Sequence, residues 1–130
     1  MKKTCLLLGL LCLLACQNRQ SNSSDESQNY SKVDVEKLTQ MLKSQAEVQL
    51  IDVRTAKEFE QGHIEGAVNI DFRKNNFQEN IAQLKKEQPV VVYCRTGRRS
   101  NNSLEAFKKM DFKEVYDLSG GYKAWSVKKE

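Results

Sequence analysis

The chemistry in this chain concentrates in one short run, Tyr93-Cys94-Arg95-Thr96-Gly97-Arg98-Arg99-Ser100. It follows a β-branched stretch, Val90-Val91-Val92, and precedes a segment with helical spacing. A tight strand-to-helix loop points successive backbone N–H groups at one spot and forms an anion-binding nest. The positive end of the following helix adds to it. Gly97 permits backbone conformations that other residues resist. A thiol in such a cradle is expected to be an exposed thiolate of low pKa, the form that attacks sulfur. The cradle would equally stabilise the terminal sulfur of a persulfide. Arg95, Arg98 and Arg99 supply planar cations for an anionic substrate such as a thiosulfonate or an oxyanion.

The flanking elements are those that would position such a loop. Asp34 can cap a helix carrying Val35, Leu38, Met41 and Leu42 at helical spacing. Val48 to Val53 reads as a buried strand. Thr55 to Glu58 forms a capping box that opens a short helix, and Gly62 can end it. Ala67 to Ile70 is a second short strand. Phe77, Ile81 and Leu84 mark a helical stripe that Pro89 stops. Val90 to Tyr93 has the near-continuous apolar character of a central strand buried on both faces. Ser100 to Met110 is helical with a basic end, Val115 to Leu118 is strand-like, Gly120-Gly121 is a turn, and Tyr122 to Val127 is a last short helix. Alternating strands and helices predict an α/β fold with a parallel sheet covered on both faces. Ligands of such sheets bind at the carboxyl ends of strands, where Cys94 falls.

The N-terminus has a different character. Lys2 and Lys3 precede an apolar run from Leu6 to Ala15, the layout of a signal peptide. The run is shorter than the roughly 20 residues of a membrane-spanning helix. Leu13-Leu14-Ala15-Cys16 resembles the bacterial lipoprotein box, which implies removal of residues 1–15 and lipidation of Cys16. An ordinary secretory signal cleaved nearby is the alternative. Gln17 to Ser31 contains one aromatic and no aliphatic residue, so residues 16–31 are expected to form a lipid-anchored flexible tether. Such a length spans roughly 20 Å. The expected location is the bacterial cell envelope with the domain outside the cytoplasm, on the periplasmic face of the outer membrane where two membranes exist. Gln17, where Asp would resemble an inner-membrane retention signal, favours that choice.

Four cysteines suggest a disulfide set, but Cys5 and Cys12 would leave with the signal and Cys16 would carry lipid. Cys94 is then the one cysteine of residues 32–130, and an unpaired exported thiol is either buried in the core or used. The formal charge of +4 falls to +2 without Lys2 and Lys3. No dense basic tract with interleaved aromatics is present, which argues against nucleic acid as a partner. The expected partners are a small anionic sulfur donor, a thiol acceptor and the membrane, with the chain a monomer.

Three motifs in order make a family resemblance specific. Cys94-Arg95-Thr96-Gly97-Arg98-Arg99 resembles the active-site loop of rhodanese sulfurtransferases. Leu50 to Arg54 with Glu58-Phe59, then Gly62 to Ile70, resembles the family's N-terminal signature, and Leu118 to Trp125 its closing element. The resemblance covers 32–130 and implies a single rhodanese-like domain with about five strands, a covalent persulfide mechanism, and no cofactor or metal. It implies that Cys94 is nucleophile and sulfur carrier. Thr96, Gly97, Arg98, Arg99 and Ser100 would give it backbone donors, and Arg99 would face the substrate. Asp52 and Arg54, at a strand end, would brace the loop, either as a structural network or in contact with substrate. His63 lies in a turn that the resemblance makes structural, and Trp125 reads as core.

Three rival readings share these residues. Phosphatase loops of this type place an arginine after five intervening residues, where this chain has Ser100. A non-catalytic binding module or a persulfide carrier for a partner protein would keep the same fold, although inactive versions typically lack the cysteine. A thiol redox protein would need a resolving thiol from outside.

Overall fold

The computed structural model describes residues 27–44 and 47–128. The signal segment and Cys16 therefore lie outside the described residues. Five parallel strands form one sheet: β1 (Asn29–Val33), β2 (Gln49–Asp52), β3 (Val68–Asn69), β4 (Val90–Tyr93) and β5 (Glu114–Leu118). Their order is β1-β5-β4-β2-β3, with β4 at the centre. The helices are α1 (Val35–Lys43), α2 (Ala56–Glu60), α3 (Phe77–Ile81), α4 (Arg98–Lys109) and α5 (Gly121–Lys128).

All four residues of β4 are buried, as a central strand between two helical layers requires. Val90 and Val92 pack on one face with Phe77, Ile81 and Phe107 from α3 and α4. Val91 and Tyr93 pack on the other with Leu38 of α1 and, from α5, Tyr122 and Trp125. Trp125 is partly buried and packs against the edge of this cluster. Asp34 caps α1 by accepting the Lys37 amide at 2.7 Å. The capping box at Thr55 and Glu58 is formed.

Three expectations need correction. The tether was expected to run to Ser31, yet Asn29 to Val33 is strand β1, in register with Glu114 to Leu118. Tyr30 fixes this edge: it packs against the α4-side core and its hydroxyl donates to the Phe112 carbonyl at 2.7 Å. The ordered domain therefore begins before Lys32. The helix expected to run from Phe77 to Pro89 ends at Ile81, and Leu84 packs from a following turn. The expected turn glycine Gly121 instead opens α5.

Candidate active site

Cys94 follows the last residue of β4, and α4 begins four residues later. Between them the chain reverses through Gly97, whose φ of +108° is open to glycine and strained for other residues. The Gly97 amide then donates to Cys94 Sγ at 3.1 Å. The Ser100 hydroxyl, on the first turn of α4, donates to the same sulfur at 3.6 Å. Burial alone would push the Cys94 thiol up. The Ser100 amide and hydroxyl, with the Gly97 and Thr96 amides, outweigh it and hold the thiol below its ordinary value. Of the five backbone donors expected, the Gly97 amide hydrogen-bonds the sulfur, and the Thr96 and Ser100 amides also act on it.

The expected exposed thiolate is not what the fold presents. Cys94 is 1% exposed and packs among the α4-side core residues. An open cleft of about 740 Å³ lies beside it, lined by Arg95 and Thr96 of the loop together with Arg54, Glu58, Gly62, Tyr122 and Lys123.

The loop is held from behind by α5. Its first amides would otherwise lack partners. The Tyr122 amide donates to the Cys94 carbonyl at 2.8 Å and the Lys123 amide to the Arg95 carbonyl at 3.0 Å. Fixing those carbonyls toward α5 leaves the following amides turned toward the sulfur. This requires close approach at Gly121, where a Cβ would stand 2.8 Å from the Arg95 carbonyl carbon and φ is +57°. The Gly-Gly pair signalled a turn in the sequence; its contact with the cysteine loop was not legible there.

The Arg99 side chain interacts with Cys94 and is held by a residue that lines the cleft. It makes a bidentate pair with Glu58, Nη1 to Oε2 and Nη2 to Oε1, both at 2.7 Å. Arg99 holds the Glu58 carboxyl well below the usual carboxylate range. Glu58 also accepts from the Thr55 amide and hydroxyl, so one carboxylate starts α2 and ties it to α4. In the sequence Glu58 was legible as a capping residue and as part of the N-terminal signature, and its pairing with Arg99 was not. Arg95 and Arg98 are exposed, and these loop cations are the ones open to solvent.

Asp52 and Arg54 form a buried pair, with Arg54 Nη2 2.6 Å from Asp52 Oδ2. Arg54 also donates to the Gly62 carbonyl at 2.6 Å and lies over the Tyr122 ring at 4.3 Å. The pair braces α5 and the Gly62 turn, and thereby the loop at one remove. His63 stacks on Phe59 with ring centroids 3.7 Å apart, and its Nδ1 bonds the Phe59 carbonyl, away from Cys94.

Residues 34–128 match the rhodanese-like domain family. The thiosulfate sulfurtransferase GlpE of Shewanella oneidensis is 34% identical over 97 residues, covering 75% of this chain and 93% of that protein. GlpE of Coxiella burnetii is 35% identical over 81 residues, covering 62% of this chain and 74% of its own. Among solved structures, a rhodanese-like domain protein from Staphylococcus aureus is 26% identical with a TM-score of 0.66, covering 74% of this chain and 90% of that one. With a five-stranded parallel sheet, a cysteine at the carboxyl end of its central strand and a family match across the described domain, the chain belongs to the rhodanese-like family.

Proposed function

We propose that this protein is a sulfurtransferase that moves sulfane sulfur from an anionic donor such as thiosulfate to a thiol or cyanide through a Cys94 persulfide. The observation that carries the reading is the cradle: a sulfur that accepts from the Gly97 amide and the Ser100 hydroxyl and whose thiol is held below its ordinary pKa. Relatives named thiosulfate sulfurtransferase support the same chemistry.

In the first half-reaction the Cys94 thiolate attacks the outer sulfur of the donor. The donor's S–S bond breaks and sulfite leaves with the electron pair. In the second, the acceptor thiolate or cyanide attacks the terminal sulfur, and Cys94 departs as thiolate. Splitting the transfer through a covalent intermediate replaces one difficult step by two easier ones. Arg95 and Lys123, which line the cleft next to the cysteine loop, would hold the donor's charged end. A carrier that hands the persulfide to a partner protein would use the same residues.

The test is the intact mass of the protein before and after thiosulfate, with Cys94→Ser alongside. A gain of one sulfur, about 32 Da, reversed by thiol and absent from the variant, is expected for a persulfide. A folded wild-type protein that gains no mass from any sulfane donor would leave a binding module as the better reading.

We also propose, on the N-terminal sequence alone, that Cys16 is lipidated and holds the protein in the bacterial cell envelope. Metabolic labelling with a fatty-acid analogue should mark the wild-type chain and not Cys16→Ser; equal labelling of both would refute it.

A further inference from the structure

The cleft beside the cysteine loop is larger than an inorganic donor needs. Its volume of about 740 Å³ lies within the roughly 300–1,000 Å³ of sites that bury whole organic ligands. Thiosulfate, with a handful of non-hydrogen atoms, would fill a small part of it. The cleft also has a direction. The first turn of α5 meets the cysteine loop, where the Lys123 amide donates to the Arg95 carbonyl at 3.0 Å. Ser126 lines the same cleft three residues later, about 4.5 Å further along the helix axis. From α2 come Glu58 and, at the C-cap, Gln61. The space therefore continues about one helical turn past the loop.

Its charges do not cancel. Arg54 is paired with Asp52, and Glu58 with Arg99. Arg95 and Lys123 are exposed, and among the described residues neither side chain makes an ion pair. One backbone hydrogen bond joins these two residues, so two uncompensated cations stand side by side at the loop end. Gln61 and Ser126, further along, are polar and uncharged. In the two-step cycle, sulfite leaves before the acceptor arrives. The same cations are then free for a second anion, and the length that the donor leaves unused is available to the acceptor.

We propose that the cleft is the acceptor site and takes a small carboxylate-bearing thiol of the size of a short peptide, with Lys123 selecting for the carboxylate. The acceptor's thiol proton is lost to solvent, and its thiolate attacks the terminal sulfur of the Cys94 persulfide. The new S–S bond forms as the bond between Cys94 Sγ and that sulfur breaks. Cys94 leaves as thiolate with the electron pair, and no oxidant or reductant is consumed. The inference rests on Cys94 being the sulfur carrier.

The experiment loads Cys94 with sulfur, removes the donor, and follows loss of the added mass with β-mercaptoethanol, mercaptopropionate and glutathione in turn. The rate with mercaptopropionate is divided by that with β-mercaptoethanol in each protein, which cancels any change in the reactivity of the persulfide itself. Lys123→Gln should lower this ratio about threefold, the scale of one exposed charge pair. Lys123→Arg should restore most of it, and high salt should erase the difference between Lys and Gln. Gln61→Ala should slow glutathione more than mercaptopropionate, because the longer acceptor alone reaches that end of the cleft. An equal ratio in wild type and Lys123→Gln overturns the proposal. Binding is read separately, without turnover, from S-methylglutathione, which has no thiol to accept sulfur. It should shift the amide NMR signals of Gln61, Lys123 and Ser126 in the unloaded protein. Unmoved signals at millimolar ligand overturn the acceptor site even where the persulfide forms. Shifts in a protein that loads no sulfur would support the ligand class and count against sulfur transfer alone.

Discussion

Glu58→Gln isolates the pair that ties α2 to α4. Gln preserves the capping box, because its oxygen can occupy the Oε2 position and accept from the Thr55 amide. Its NH₂ then stands where Oε1 stood, facing Arg99 Nη2 donor to donor. The variant therefore loses one charge-assisted hydrogen bond and the ionic component of the other. Such bonds contribute about 1.5–3 kcal/mol when shielded. Here the Arg99 and Glu58 side chains are 17% and 28% exposed, so solvent screens part of the attraction. The expected loss is about 1–2 kcal/mol at pH 7. The pH dependence identifies its source. The Glu58 carboxyl is depressed in the folded state, so its contribution is complete above the unfolded value of about 4.3 and is lost as pH falls through the folded value. The difference in urea-unfolding free energy between wild type and variant should be flat from about pH 7 to 5, then shrink by up to about 1.4 kcal/mol per pH unit below 4. A difference of the same size at low pH would refute an ionic origin and point to packing.

Further outcomes follow from the same geometry. Arg99→Ala should cost more stability than Arg98→Ala in denaturant titrations, since only Arg99 is paired; kcat/KM for thiosulfate should respond more to Arg95→Ala than the Glu58-engaged Arg99 would suggest, and an Arg95→Ala enzyme with unchanged kcat/KM would sink that assignment. Gly121→Ala should lower persulfide formation and stability together, by about 2–4 kcal/mol, because it adds left-handed strain to a clash with the Arg95 carbonyl; Gly66→Ala, with open space around it, should show the strain alone in thermal unfolding. A chain starting at Lys32 should be less stable than one starting at Ser27 by about 2–3 kcal/mol, because it loses the Tyr30 packing and its bond to Phe112; equal midpoints in urea would show that β1 is dispensable.

The central part of the fold was legible because its signals are local. The Val90–Tyr93 run, the Thr55–Glu58 capping box and the cysteine loop each declare their conformation within a few residues. β1 was not legible: Asn29-Tyr30-Ser31-Lys32 is mostly polar, and it becomes a strand only because β5 offers an unpaired edge 85 residues away. In the site, the residue types were readable but their partners were not. Arg99 looked free because Glu58, 41 residues earlier, already had a local role as a cap. The burial of Cys94 likewise depends on Phe77, Phe107 and Ile51 converging from three other elements.

The direction in which β1 enters the sheet fixes how the molecule would stand on any support. Asn29 pairs with Glu114, the first residue of β5, whereas Cys94 follows the last residue of β4. All strands are parallel, so the start of β1 lies at one pole of the domain and Cys94 at the other. Four to five strand residues separate the poles by roughly 15 Å. A surface that holds the protein by its N-terminus would meet the blunt pole and leave the reactive end pointing outward, so donors and acceptors would approach from solution without passing between protein and support. Immobilising the chain by its N-terminus should leave its turnover intact, while immobilising it through α2 or the Gly62 turn should block the cleft.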